Sequence, residues 1–490
     1  MDTKIIDNLR SKYTLLLLFV SFIFVTVFSY STSPLYGNIC NHPDSAIFQI
    51  IGKYWVDGAL PYRDLWDLKG PYIFFVDAIG YFFLDSYIGI YLIQIVNICL
   101  TLIFTFCTYR IYFEKNHSLL LTILSLFSLS YTYQSGNLCE EYLLPFLSLS
   151  FFLLLKYFKK VEIQEDHTHP SCYAIIYGIV LGLSLMSRLT NALSVSGAVA
   201  VIAITLLLHK SYSNLVKNII GFLIGFIISS VPFMVYFYLH DALDLLFNGT
   251  LLYPLQYASN PSKDILGDGI HFYLLSFGNS LLLLIISIII AFRQRQADIR
   301  SITWFCASLL PFLWFCQGNG FGQYGMTVYP LLAISMIEMK RLRMKKFAIV
   351  VVILVVIGFL SKVRFAVIMQ KNQNTTVIAY KTFLKESNVD YNSFVAYNCD
   401  PNLYLAEQVK PAVPFFSLQD FAIGRNEHLR KLIIHSFKKK RPHWILLQYD
   451  DDETPAINEL LRKYYRMVKY DKTNKIVLYE YSIRKKKYII

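Results

Sequence analysis

YGNICNHPDSAIFQIIGKYWVDGALPYRDLWDLKGPYIFFVDAIG, residues 36–80, is the stretch on which the architecture turns. It sits between two apolar runs, 13–30 and 87–109, each long enough to cross a hydrocarbon core of about 30 Å. Loops that only join packed spans tend to be short. This one gathers Asp44, Asp57, Arg63, Asp64, Asp67 and Lys69 close to the membrane plane. Ser45–Val56 places Ile47, Ile50, Ile51 and Tyr54 on one face and reads as an amphipathic helix. Asp44 then stands at its N-terminal end, where an Asp can act simply as a cap worth about 1 kcal/mol. The segment 70–84, GPYIFFVDAIGYFFL, is short for a span and carries Asp77, so an interfacial or re-entrant helix is expected there.

Outward from this loop, nine more apolar runs follow: 118–134, 142–158, 172–190, 191–208, 216–239, 272–292, 301–317, 324–339 and 347–363. With the first two they make about eleven transmembrane helices. The composition agrees, with 55% hydrophobic and 16% charged residues against about 25% charged in a soluble domain. A free charge inside hydrocarbon is expensive, which accounts for the shortfall. The start, Met1–Lys12, is polar and basic, and no small-x-small cleavage site follows the run 13–30, so it reads as a retained anchor.

The net charge of +13 need not mean nucleic acid. With Met1 on the cytoplasmic side, Arg110, Lys115, Lys156, Lys159, Lys160, Lys210, Lys217, Arg293, Arg295, Arg300 and the cluster 340–346 all fall on inner loops. Outer loops 31–86, 135–141, 240–271 and 318–323 hold far fewer basic residues. That is the positive-inside bias, and it predicts a cytoplasmic N-terminus and an extracytoplasmic C-terminus. The basic runs Lys438–Arg441 and Lys485–Lys487 fit solvent or anionic headgroups.

Past residue 365 the composition changes. YKTFLKESNVDYNSFVAYN and KKRPHWILLQYD each read as a helix or loop entering a short strand, TPAINELLRKYY as an amphipathic helix, and KIVLYEYS as a final strand. The expected fold class is therefore an α-helical polytopic membrane protein with a small α/β C-terminal extracytoplasmic domain. Its parts are a transmembrane domain 1–365, including the first outer loop 31–86, and a soluble domain 366–490. The eight cysteines form no CxxC pair; a Cys40–Cys139 bridge between outer loops is one arrangement the spacing allows. His42 reads as a loop residue and Asp450–Thr454 as a solvated turn.

Several motifs, in order and on one side of the membrane, carry a resemblance. They are Asp44, the helix Ser45–Val56, GALPYRD at 58–64 and KGP at Lys69–Pro71. GNLCEEYLLPF follows with Glu140 and Glu141, then GLSLMSRLTN with Arg188 and FGQYGMTVYPLLA with Tyr324. This pattern resembles the GT-C superfamily of polyprenyl-phosphate-sugar-dependent glycosyltransferases, in particular bacterial proteins similar to protein mannosyltransferases and the lipid A aminoarabinose transferase. The layout extends over about residues 1–345. It departs from the family in one respect, since the family's paired Asp-Glu is Asp44-Ser45 here.

The resemblance implies a GT-C-like fold in a bacterial cytoplasmic membrane. It also implies an inverting hexosyl- or pentosyl-transferase with a polyprenyl-phosphate-linked sugar as donor and an extracytoplasmic glycan, lipid or protein as acceptor. Asp44 is then the candidate base for the acceptor hydroxyl. Lys69, Arg188, Arg63 and Tyr324 are candidate partners of the donor phosphate. Glu140 or Glu141 can orient Asp44, bind the sugar or help hold a divalent cation such as Mg or Mn. Structural readings stand beside these: Arg63 and Lys69 can pair with Asp64 and Asp67, Arg188 can snorkel to headgroups, and a carboxylate at 140–141 can serve a helix N-terminus. A transporter or flippase of lipid-linked sugars, or an O-antigen-type polymerase or ligase, is the alternative. The acidic residues gather at the outer surface rather than mid-span, which favours surface chemistry over passage.

Overall fold

A computed structural model describes residues 12–36, 42–259, 269–294, 298–316, 321–371, 374–420, 427–449 and 454–482. The residues before Lys12, Cys40 and hence the Cys40–Cys139 bridge, Arg295, Asp450–Glu453 and Lys485–Lys487 lie outside them.

In chain order the helices are α1 (Lys12–Phe28), α2 (Pro43–Val56), α3 (Pro71–Leu84), α4 (Tyr87–Arg110), α5 (Lys115–Thr132), α6 (Leu144–Gln164), α7 (Ser171–Leu185) and α8 (Leu193–Leu208). They continue with α9 (Tyr212–Leu239), the short α10 (Leu243–Phe247) and α11 (Tyr253–Ser259), then α12 (Gly269–Gln294), α13 (Ile299–Phe315), α14 (Pro330–Arg341) and α15 (Lys345–Lys371). Each expected span holds one of these helices. Among the described residues, six stretches are long and apolar enough to cross a membrane, while α1, α3, α7 and α13 are apolar but shorter. The expected run 324–339 is not one helix. A 3-10 turn occupies Gly322–Val328, and the α-helix begins only at Pro330, whose fixed φ suits a first helical position. At the basic end of the bundle Glu338 is fully buried, accepting from Arg300, Arg341 and the Trp304 indole. A buried carboxylate tolerates its site only with such partners.

The chain divides into two compact units. The first comprises Met1–Ser29, Tyr91–Asp241 and Pro261–Ile368, the helical bundle. Its tightest pair is α7 with α9. GIVLG at 178–182 faces GFLIG at 221–225, two small-xxx-small motifs that let the backbones touch. A Cβ on Gly225 would overlap the Ile175 carbonyl, and one on Gly178 the Phe222 carbonyl.

The second unit collects Tyr30–Ile90, Ala242–Asn260 and Met369–Ile490. Its sheet has the order β1 (Phe394–Tyr397), β2 (Trp444–Gln448), β4 (Ile476–Tyr481), β3 (Tyr465–Asp471), with β1 and β2 parallel and the other pairs antiparallel. The parallel strands are buried nearly throughout and read as unbroken apolar runs, as a covered sheet requires. Helices α16 (Thr375–Lys385), α17 (Asn402–Glu407), α18 (Glu427–Lys440) and α19 (Asn458–Tyr464) accompany them. Three of the expected strands and their helices are present. Edge strand β3, with a register shift between Met467 and Lys469, was not anticipated: exposed Arg466, Met467 and Val468 in succession hide the strand pattern, while Arg466 and Lys469 guard the edge.

The first loop packs into this second unit. Trp66 N–H donates to the Pro414 carbonyl at 3.0 Å, and its ring lies 4.9 Å from that of Phe415. Such contacts require residues 66 and 415 to share one side of a membrane. Ten helices at expected spans separate them, α4 to α9 and α12 to α15, an even number. Counting α3 as an eleventh crossing would break that parity. At 14 residues α3 is one of several apolar helices shorter than a full crossing, so it is the parity and not its length that sets it apart. It lies against α2, where Gly52 leaves room for buried Asp77.

Gly225→Ala is expected to lower stability by about 1–3 kcal/mol through overpacking against the Ile175 backbone. Gly358→Ala in α15, where an added Cβ meets nothing within 4 Å, is expected to cost nothing by that route. Thermal unfolding in detergent compares the two.

Candidate functional site

In the first loop the helix begins earlier than its hydrophobic pattern suggests. His42 is the N-cap and Pro43 the first residue, so Asp44 lies inside the first turn and not at the cap. The Asp44 carboxylate is half-buried and has no hydrogen bond among the described residues. Asp67 is close enough to feel its charge. Burial pushes the Asp67 carboxyl above its usual range; Asp44 adds to the rise, and Lys69 opposes it. Asp44, Asp67 and Lys69 thus form one electrostatic group. Asp67 was not among the residues singled out for chemistry.

The turn between these residues is tightly built. Tyr62 takes a left-handed conformation (φ 69°), its N–H donates to Leu65 O at 2.7 Å, and its hydroxyl donates to Lys69 O at 2.7 Å. The Asp67 carboxylate accepts the Lys69 N–H at 3.1 Å. Asp64 accepts the Leu60 N–H at 2.8 Å and pairs with Arg63 at 3.0 Å. Burial raises the Asp64 carboxyl, but the Arg63 hydrogen bond and the Leu60 N–H more than offset that, so it sits below the usual range. Arg63 is exposed and pairs with its own neighbour.

Within the bundle, three of the anticipated residues meet. Arg188 lies in the extended link between α7 and α8 (φ −150°, ψ 111°), beyond the end of its helix. Its guanidinium donates to the Glu140 carboxylate at 3.1 Å and stacks on the Tyr324 ring. Each sits at a break in helical structure: Glu140 before the 3-10 turn Glu141–Leu143, Arg188 before the turn Leu189–Ala192, and Tyr324 within Gly322–Val328. The last turn packs on both of the others. Irregular backbone at membrane depth is tolerated where protein encloses it or a polar cavity adjoins it.

Glu141 has a different role from Glu140. Its fully buried carboxylate accepts from Tyr133 Oη at 2.7 Å, Gln94 Nε2 at 2.9 Å and the Asn137 N–H at 2.7 Å. Asn97 meanwhile donates to its backbone carbonyl at 2.7 Å. This is scaffolding that fastens the 133–143 link to α4. Neither glutamate fits a cation site in this arrangement, one being matched by Arg188 and the other surrounded by donors. Among the described residues no group of three or more His, Cys, Asp or Glu converges as metal ligands.

Sequence reading overlooked the polar run from Ser184 to Ser194. The density of small polar residues in SLMSRLTNALS was its available signal.

Comparison with known proteins follows the same lines. Residues 69–238 match the model of the family described as dolichyl-phosphate-mannose-protein mannosyltransferase. No curated protein matches the chain in sequence. The structure is similar to ArnT from Cupriavidus metallidurans bound to undecaprenyl phosphate, with a TM-score of 0.60, 11% identity, and 95% of this chain covering 97% of that one. The apo form of ArnT gives 0.59 and 10%, over 95% and 96% of the two chains. The apo oligosaccharyltransferase of Archaeoglobus fulgidus gives 0.50 and 12%, over 98% of this chain and 75% of that one. At these identities the likeness establishes the fold, which is the GT-C fold that the motif order implied.

Glu141→Gln would place an amide N–H₂ against donors and is expected to cost about 1–3 kcal/mol. Thermal unfolding of the detergent-purified variant measures this, and wild-type stability would refute the scaffolding role.

Proposed function

We propose that the chain is a membrane glycosyltransferase that moves a sugar from a polyprenyl-phosphate carrier to an acceptor on the outer face of a bacterial cytoplasmic membrane. The observation that carries this reading is the match of residues 69–238 to a family named for a lipid-phosphate-linked sugar, on a chain with the GT-C fold. The family stretch opens at Lys69 and includes Glu140, Glu141 and Arg188. The positive-inside bias supports a cytoplasmic N-terminus and an extracytoplasmic first loop.

The chemistry needs little acid catalysis, because a lipid phosphate is already a good leaving group. The acceptor hydroxyl oxygen attacks C1 from the face opposite the phosphate. The C1–O bond breaks with its electron pair passing to the phosphate, so the product is inverted, and the hydroxyl proton goes to the Asp44 carboxylate. As C1 becomes oxocarbenium-like, negative charge grows on the bridging oxygen and calls for fixed cations. Lys69 and Arg188 take that role. Arg188 keeps free guanidinium donors beyond the one given to Glu140, and Tyr324 holds its plane. Asp67, beside both Asp44 and Lys69, tunes the loop's charge. The sugar transferred is a hexose or a pentose.

Asp44→Asn keeps the size of the side chain and removes the proton acceptor. Transfer is expected to fall by about 10²–10⁴-fold, with membrane insertion and thermal stability of the wild type. The assay follows label moving from undecaprenyl-phosphate-linked sugar to acceptor, and near-normal transfer would remove Asp44 from the mechanism.

A further inference from the structure

In the bundle, buried hydroxyls have a habitual partner. Thr122, Ser125, Thr205, Ser229 and Ser335 each donate to the carbonyl four residues back, the usual way a helix in hydrocarbon silences a hydroxyl. Single exceptions occur at Ser148 and Ser276, and several gather between the last turn of α7 and the first turn of α8. Among the described residues, Ser184, Ser187 and Ser194 have no hydrogen-bond partner for their hydroxyls, nor has Asn191 for its amide nitrogen. Their exposures are 0%, 5%, 1% and 2%. A buried polar group left without a partner costs about 1–3 kcal/mol, so these four within eleven residues, with the hydroxyl of half-buried Thr190 a fifth, are not a packing accident.

All four flank Arg188, the residue that meets Glu140 and Tyr324. The Arg188 guanidinium keeps donors for the phosphate beyond the one given to Glu140. The uncharged hydroxyls and amide beside it in the chain match a neutral part of the same ligand, one bearing several hydroxyls.

We propose that Ser184, Ser187, Asn191 and Ser194 form the subsite that binds the hydroxyl groups of the donor's sugar ring, beside the Arg188–Glu140 pair. This rests on the reading of the chain as a lipid-phosphate-sugar transferase, and adds where the sugar is recognised. Sugar specificity is then written in the link between α7 and α8, and apolar replacements there relax it.

The test compares the full chain in detergent with its Ser187→Ala/Asn191→Ala/Ser194→Ala variant. Each is titrated with undecaprenyl phosphate and with undecaprenyl phosphate carrying mannose, glucose, galactose or aminoarabinose. The wild type is expected to bind at least one sugar-bearing lipid more tightly than the bare lipid. The variant should lose that advantage, weakening that lipid about tenfold or more as two or three neutral hydrogen bonds vanish, with affinity for undecaprenyl phosphate unchanged. Its melting temperature should fall only slightly, by the cavity left at buried Asn191, since the hydroxyls and the amide nitrogen that are removed have no partner among the described residues. The proposal is overturned if the variant retains the sugar advantage, as it would were these groups held by water alone. It is equally overturned if sugar-bearing and bare lipids weaken together, which would assign the groups to the phosphate. A wild type that binds undecaprenyl phosphate but gains nothing from any sugar overturns the subsite and spares the transferase reading. Failure to bind any of these lipids overturns both.

Discussion

Hydrocarbon offers no hydrogen bonds, and that constraint organises everything else in this chain. Helices satisfy their own backbone groups; every interruption must find its partners inside the protein. The bundle interrupts itself at 141–143, 189–192 and 322–328, and the third of these turns packs on the other two. The first break is compensated in full, because the Glu141 carboxylate collects donors from Tyr133, Gln94 and the Asn137 backbone. The second is not. Around Arg188 several hydroxyls and one amide nitrogen have no partner among the described residues, whereas hydroxyls such as that of Thr205 bond back to their own helix. Three helix breaks at one place, one guanidinium among them and unspent hydrogen-bonding capacity beside it, are what a polar ligand entering from a lipid carrier requires.

The same economy shapes the second unit. The two parallel strands of its sheet are buried, and the first loop joins its core through Trp66 on Phe415. The loop that holds Asp44 and Lys69 is accordingly an ordered body, with Tyr62 in a left-handed turn and Asp64 holding the Leu60 N–H. Carboxylates and a lysine held in place, rather than on a floppy linker, can present one geometry to a substrate.

Much of this was legible in the residues. Apolar runs marked every span, because crossing about 30 Å of hydrocarbon demands a length and composition that little else does. An interfacial α3 was expected from its length and Asp77, and the parity set by the contact of Trp66 with Pro414 and Phe415 supports that reading. The meeting of Glu140, Arg188 and Tyr324 was implied only by resemblance, since residues 48 and 136 positions apart carry no local signal of contact. Other features were hidden for physical reasons. The first turn at Pro43 is set by a capping geometry that hydrophobic spacing does not record. Strand β3 pairs on one side only, so three exposed residues in succession, Arg466, Met467 and Val468, break the alternation that would mark it. Whether Glu140 or Glu141 is the scaffold depends on which one meets Tyr133 and Gln94, and adjacent identical residues cannot reveal that. The GIVLG and GFLIG motifs stood in plain view, but their pairing is a three-dimensional fact.

The central claim is that the sugar comes from a lipid phosphate. The direct measurement incubates the purified full chain with labelled undecaprenyl-phosphate-linked sugars and, separately, with the corresponding nucleotide sugars, and follows the label. The account predicts that label leaves a lipid-linked sugar for acceptor or water, with undecaprenyl phosphate released, while the nucleotide sugars stay intact. Consumption of a nucleotide sugar with every lipid-linked sugar left untouched would contradict it.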